Sequence, residues 1–85
     1  MHATSLILLF SSAELAARRY GEAYGAAGSP PVERQVEPLI LRSWKGFTDE
    51  TPALVLLTQH QFCALYRYFR SMWLYTARRA VASLS

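Results

Sequence analysis

The stretch "QFCALYRYFRSMWLYTARR", residues 61–79, decides the fold because its spacing sorts apolar and basic side chains onto different sides of a helix. Turned at about 100° per residue, its large apolar side chains gather on one side and its arginines on the opposite side. The tyrosines lie near the borders, where a ring can be half buried while its hydroxyl stays in water. Upstream, Thr51 is a natural helix cap and Pro52 suits a first helical position. No proline or glycine follows, so the sequence predicts one long amphipathic helix over about residues 52–82.

Two shorter helices are predicted ahead of this one. The residues "SSAE", 11–14, are typical of a capping box at a helix start, and "GAAGSPP" is typical of a linker. Pro38 suits the first turn of a second helix, which Gly46 is expected to end. The sequence therefore predicts an all-α chain in which residues 1–85 form a single small helical subunit. Its predicted elements are helices over about 12–24, 38–45 and 52–82, with linkers at 25–31 and 46–51.

The composition predicts a chain that is completed by neighbours. Of its 85 residues, 52% are hydrophobic and 18% are charged, whereas an ordinary soluble domain has about 25% charged residues. A domain this small has a large surface and little interior. Because the chain cannot bury this many apolar side chains alone, we expect the surplus to face a partner chain or lipid.

The charges are distributed unevenly along the chain. All six acidic residues lie within residues 1–50, whereas residues 51–85 hold four arginines and no acid. A segment of one sign usually meets an anionic surface. The predicted contacts for that surface are Arg67, Arg70, Arg78 and Arg79. The predicted contacts for an apolar partner surface are Phe62, Leu65, Phe69, Met72 and Trp73.

The sequence predicts no catalytic or cofactor site. It contains no activated-serine motif, phosphate-binding loop or dinucleotide fingerprint. Glu33 and Glu37 are one helical turn apart and are expected to form a solvated helix face. Cys63, the single cysteine, is expected to be a small buried hydrophobe. We therefore expect a protein that is not an enzyme and that needs neither a metal nor a cofactor.

Neither of the two apolar stretches predicts a membrane span by itself. The run Leu6–Phe10 is too short, and residues 51–66 are short of the roughly 20 residues required and carry polar Gln59 and His60. Ser, Ala and paired Arg near the start are typical of a mitochondrial address, which we expect to be retained rather than removed. A single-pass or peripheral membrane subunit stays open as an alternative.

The triplet Leu65, Tyr66 and Arg67, with Arg70 three positions later, resembles the signature of the LYR-motif family. Members are small helical proteins of mitochondria that serve as accessory subunits or assembly factors of respiratory complexes. The residues "LTQHQ", 57–61, and Trp73 are also similar to the first helix of complex I members. The resemblance implies the mitochondrial acyl carrier protein as a partner, whose acidic surface would suit the arginine face.

Together these patterns predict a non-catalytic accessory subunit of a larger membrane-associated complex. The expected complex is of the respiratory type, at the mitochondrial inner membrane, and docking is expected through the helix over 52–82. Other subunits are the expected partners, with lipid head groups as a further contact. The alternative is a small RNA-binding protein of the mitochondrial ribosome, in which arginines grip phosphates and tyrosines stack on bases. The chain has only nine Lys and Arg residues, and this low number argues against nucleic-acid binding.

Overall fold

The computed structural model describes residues 2–28 and 32–84, with side chains from residue 11 onward. Three α-helices follow one another in it, and a short 3₁₀ helix precedes the last. The described residues contain no strand, which confirms the predicted all-α class and the long C-terminal helix. The elements are α1 (His2–Ala26), α2 (Glu33–Asp49), the 3₁₀ helix Pro52–Leu56 and α3 (Gln59–Ser83).

Helices α1 and α3 lie parallel and make the most extensive contact in the molecule. An ideal β-carbon placed on Gly21 would lie 2.7 Å from the Ala80 β-carbon, and one on Gly25 would lie 2.6 Å from Leu84 Cδ1. Residue numbers therefore rise together along both helices. Ala13 and Ala17, at the same four-residue spacing, are also buried. This stripe of small residues allows the two backbones to approach closely.

Helix α2 runs antiparallel to α3. Its first turn meets the C-terminal half of α3, where Glu33 contacts Arg78, and its last turns meet the N-terminal half, where Trp44 contacts Phe62. The apolar face of α2 is buried, with Val36 and Ile40 fully covered. The molecule is thus an up-down-up arrangement in which α2 crosses one side of the α1–α3 pair.

An aromatic cluster forms the centre of the core. Phe69 is 1% exposed and Trp73 is 3% exposed, although both belong to the helix face predicted to meet a partner. Trp44 of α2 packs against the rings of Phe47, Phe62, Tyr66 and Phe69 at centroid distances of 5.2 to 5.4 Å. Three of the four pairs meet edge to face, the arrangement that aromatic pairs prefer.

Helix α1 is longer than predicted at both ends. It runs through residues 11–14, so the predicted capping box at Ser11 and Glu14 is wrong. No proline or glycine precedes Gly21, so nothing in the chain interrupts the helix there. It ends at Ala26, and Gly28 follows with a positive φ of 81°, a conformation that favours glycine. Residues 29–31 of the predicted linker lie outside the described part of the chain.

Helix α2 also exceeds its predicted bounds of 38–45. It begins at Glu33, which places Pro38 inside the helix rather than in its first turn. The ring removes one backbone hydrogen bond, and burial of Val36 and Ile40 on either side offsets that loss. Beyond Gly46 the helix continues to Asp49, because Phe47 is buried in the aromatic cluster and holds the last turn in place.

The predicted helix over 52–82 is interrupted near its start. Pro52–Leu56 forms a 3₁₀ helix with Thr51 at its N-cap, but the Thr51 side chain makes no capping hydrogen bond. The backbone is extended at Thr58, and α3 begins at Gln59. The backbone N–H of Gln61 donates to the Thr58 hydroxyl at 3.1 Å. The side-chain Oε1 of Gln61 accepts from the backbone N–H of Thr58 at 3.0 Å. This reciprocal capping box starts α3 seven residues later than the sequence pattern indicated.

Candidate interaction surfaces

Two glutamates of α2 bind two arginines of α3. Arg70 donates from Nε to Glu37 Oε1 at 2.9 Å, and its Nη2 lies 2.8 Å from the same oxygen. Tyr66 donates its hydroxyl to Glu37 Oε2 at 3.1 Å. Arg78 Nη2 binds Glu33 Oε1 at 2.6 Å. The interhelical ion pairs therefore join the acidic first turns of α2 to the arginine face of α3.

The electrostatic environment of Glu37 favours its charged form. The hydrogen bond from Arg70 lowers the pKa of Glu37 below its ordinary value of 4.5, against the opposing effect of burial. Burial raises the pKa of Tyr66, and its hydrogen bond to Glu37 raises it further. Arg70 and Arg78, which were predicted to contact an anionic partner, therefore bind carboxylates of the chain's own α2. Glu37 is partly covered by its bonds to Arg70 and Tyr66, whereas Glu33 pairs with Arg78 while its side chain stays 53% exposed.

We expect the Arg70–Glu37 pair to make stability depend on acid pH. Because folding lowers the Glu37 pKa, the pair stabilises the fold above about pH 4.5, and this contribution is lost as the pH falls through the folded-state pKa. A double-mutant cycle with Arg70→Gln and Glu37→Gln should give a coupling free energy of about 1 kcal/mol at neutral pH. Urea unfolding followed by circular dichroism between pH 3 and 7 would measure this coupling free energy and its loss at acid pH.

Lys45 and Asp49 provide the matched control for this cycle. Their ion pair is 2.9 Å long, but it lies within α2 and its side chains are 77% and 61% exposed. Lys45→Gln should therefore leave the free energy of unfolding almost unchanged, because exposed ion pairs contribute little to stability. Equal coupling energies for the two pairs, or an unchanged acid profile in Arg70→Gln, would contradict the assignment.

The face of α3 predicted to bind an apolar partner lies largely in the chain's own core. Phe69 and Trp73 are buried, so their assignment to a partner surface is corrected. Phe62 and Leu65 are half-buried and pack against the core. Met72 is 41% exposed, and its role as a partner contact stays a prediction. The physical reason is that α1 and α2 supply enough apolar surface to cover this face.

The residues of the LYR-like triplet have three different environments. Leu65 packs against the core, Tyr66 is bonded to Glu37, and the side chain of Arg67 is exposed. Arg79 is also exposed, with its guanidinium 5.7 Å from the centre of the Tyr75 ring. Of the four arginines predicted to contact an anionic partner, Arg67 and Arg79 thus lie outside the pairs with α2. Their role as partner contacts stays a prediction.

Among the described residues, exposed large apolar side chains are grouped at two places, and Leu15, Val32, Leu41 and Leu84 are exposed as well. The first is a groove between α1 and α3 with a volume of about 730 Å³, lined on the α3 side by Tyr68, Met72 and Tyr75. The second is the 3₁₀ helix Pro52–Leu56, here named the apolar turn, where Val55 is 85% exposed and Leu56 is 84% exposed. Periodicity did not reveal either surface as exposed, because it does not show which apolar side chains the other helices cover.

Three of the sequence predictions concern the metal-ligating side chains, the single cysteine and the helix lengths of the described residues. Among residues 2–28 and 32–84 there is no group of three or more metal-ligating side chains. Cys63 is exposed, so the expectation that it is buried is wrong. It follows Phe62 by about 100° around α3 and so points away from the core. Within the same ranges, no helix has the length and apolar character needed to cross a bilayer.

Comparisons of the chain with protein-family models, with curated proteins and with solved structures find no match. The resemblance to the LYR-motif family stays a prediction based on Leu65, Tyr66 and Arg67.

Proposed function

We propose that this chain is a non-catalytic accessory subunit that docks onto a larger membrane-associated complex through its apolar turn. The observation that carries the proposal is the exposure of Val55 and Leu56, two adjacent aliphatic side chains at the connection between α2 and α3. Covering one such side chain is worth about 1.5–3 kcal/mol. A partner that covers both therefore gains several kcal/mol from this turn.

The apolar turn is held in place for docking. Leu54 is 9% exposed and belongs to the core, and Thr51 at the start of the turn is 7% exposed. Pro52 restricts the backbone at the first position of the 3₁₀ helix. Because the backbone is already ordered, little conformational entropy is lost when Val55 and Leu56 enter a partner's pocket.

The proposed location is the mitochondrial inner membrane, and the proposed host is a respiratory-type complex. Support comes from the LYR-like triplet and from the Ser, Ala and Arg content of the first 20 residues. Exposed Arg67 would contact an anionic partner, either lipid head groups or an acidic protein such as the acyl carrier protein that the resemblance implies. The RNA-binding alternative has less support, because Arg70 and Arg78 already bind carboxylates of α2.

The double variant Val55→Asp and Leu56→Asp tests the docking surface. We expect the unmodified chain, expressed in its source cells and extracted in mild detergent, to sediment with a large complex. The double variant should sediment as a small free protein, because two carboxylates cannot enter an apolar pocket without a large desolvation cost. Gradient sedimentation followed by mass spectrometry of the co-sedimenting chains would measure this and identify the host.

Leu41→Asp is the control for the docking variant. Leu41 is 51% exposed on α2, away from the apolar turn, so its replacement should leave the chain in the complex. The proposal is contradicted if the double variant still sediments with the complex, or if the unmodified chain is found free. Sedimentation with RNA that is abolished by added salt would favour the ribosomal alternative instead.

A further inference from the structure

Helix α3 carries a second apolar seam that its own chain leaves exposed. Tyr68, Met72, Tyr75 and Arg79 follow one another at spacings of four, three and four residues. This is the spacing of side chains that face a partner helix in a coiled coil. Tyr68 is 58%, Met72 41% and Tyr75 54% exposed. Tyr68 keeps contacts within the chain, but more than half of its surface stays accessible.

The seam forms one wall of the groove between α1 and α3. Every residue that lines the groove belongs to one of these two helices, and α2 contributes none. Buried Ala13, Phe69 and Trp73 contribute to its floor. The groove is therefore open on the side of the α1–α3 pair where a fourth helix of a bundle would lie.

The charges of the groove balance one another. The α1 wall carries Glu14, Arg18 and Glu22, one helical turn apart, and the α3 wall carries Arg79. Two acidic and two basic residues give no net charge, so the groove favours neither an acidic nor a basic partner. A surface with no net charge does not repel a second copy of itself, as a two-fold symmetric interface requires.

We propose that the occupant of this groove is α3 of a second copy of the chain, packed antiparallel about a two-fold axis between Met72 and Tyr75. In that register Met72 of each copy faces Tyr75 of the other. Tyr68 of each copy faces Arg79 of the other, so that a guanidinium meets an aromatic ring. Each of these four contacts pairs an a-type position of one helix with a d-type position of the other, as in an antiparallel coiled coil.

The α1 wall supports the same register. Gly21 lies level with Ala77 and Ala80, which places Glu14 near the level of residues 70–73 on α3. In the antiparallel pair, Arg79 of the second copy lies opposite Tyr68, within about one helical turn of that level. An arginine side chain spans this distance, so Arg79 of one copy can contact Glu14 of the other.

The size of the surface predicts a weak dimer. The seam and its flanks extend from about residue 65 to residue 83, or about 27 Å at 1.5 Å per residue. Two helices side by side are about 20 Å wide. The interface therefore covers about 500 Å² on each copy, at the lower limit for a specific interface. We expect dissociation in the micromolar range.

Sedimentation equilibrium of the purified full chain from about 1 µM to about 1 mM tests the proposal. The apparent mass should rise with concentration from 9.6 kDa towards twice that value. Met72→Glu should keep the chain monomeric throughout, because it places a carboxylate at the centre of the seam. Leu41→Glu, at a position on α2 that is 51% exposed against 41% at Met72, should leave dimerisation unchanged.

Charge exchange tests the register. Arg79→Glu should weaken the dimer about tenfold or more, since it brings two acidic side chains together. Combining it with Glu14→Arg should recover the affinity. Val55→Asp with Leu56→Asp should have no effect, so that failure of this proposal and failure of the docking proposal are distinguishable.

The proposal is overturned if the chain is monomeric at every concentration or if the Met72→Glu variant still dimerises. It is also overturned if the Leu41→Glu variant does not dimerise or if the charge exchange gives no recovery. A monomer whose groove binds only an amphipathic helix of another protein would also overturn it. Circular dichroism of each variant confirms that loss of the dimer is not loss of the fold.

Discussion

Phe69→Ala is expected to lower the free energy of unfolding by about 3–5 kcal/mol, the usual cost of removing a buried phenylalanine. The side chain is 1% exposed and packs against Trp44 and Phe47 from α2. Its removal leaves a cavity where the helices meet. Thermal or urea unfolding followed by circular dichroism would measure the loss.

The control for Phe69→Ala is Tyr75→Ala, measured at a concentration where the chain is monomeric. Tyr75 lies on the same helix and is 54% exposed, so its truncation should change the free energy of unfolding by about 0.5 kcal/mol or less. Equal effects would contradict the core assignment. They would return Phe69 to the partner surface that the sequence pattern indicated.

A glycine-to-alanine change should have opposite effects at two positions. Gly21→Ala should destabilise the fold by about 1–3 kcal/mol, because the added carbon meets the backbone of Ala77 and the Ala80 side chain. Gly46→Ala should stabilise it by about 0.5–1 kcal/mol, since Gly46 lies inside α2 with open space around it. The two variants should therefore differ by about 1.5–4 kcal/mol.

Denaturant unfolding of both glycine variants measures this difference, and each serves as the control for the other. Both gain the same helix propensity from alanine, so a difference between them reports the packing at Gly21. Stabilisation by Gly21→Ala would mean that α1 and α3 do not approach each other as closely as the structure shows.

The sequence contains local signals for the close packing of α1 on α3 and for the start of α3 at Gln59, although neither feature was predicted. Ala13, Ala17, Gly21 and Gly25 recur every four residues, a pattern that allows close helix packing. "TQHQ", residues 58–61, has the spacing of a capping box and starts α3. The predicted box at Ser11 has the same type of signal, but the chain ahead of it continues the helix. Short motifs thus specify a helix start only where the preceding backbone leaves the helix.

The candidate surfaces were less predictable than the helices. Apolar content indicated correctly that some large side chains remain exposed, but it did not show which ones. Val55 and Leu56 were expected inside a regular helix, and the break before Gln59 places them on a turn instead. Arg70 and Arg78 were expected to meet a partner, but α2 brings Glu33 and Glu37 within reach.

The sequence by itself determined that the chain is helical and that α3 separates arginines from large apolar side chains, because both depend on spacing along one helix. Only the tertiary structure decided which seam of α3 is core and which is surface. Both seams carry large side chains, Phe69 and Trp73 on one and Tyr68 and Met72 on the other, and α1 and α2 cover only the first. Burial depends on contacts between residues distant in sequence, such as Trp44 with Phe69, and spacing along one helix does not encode those contacts.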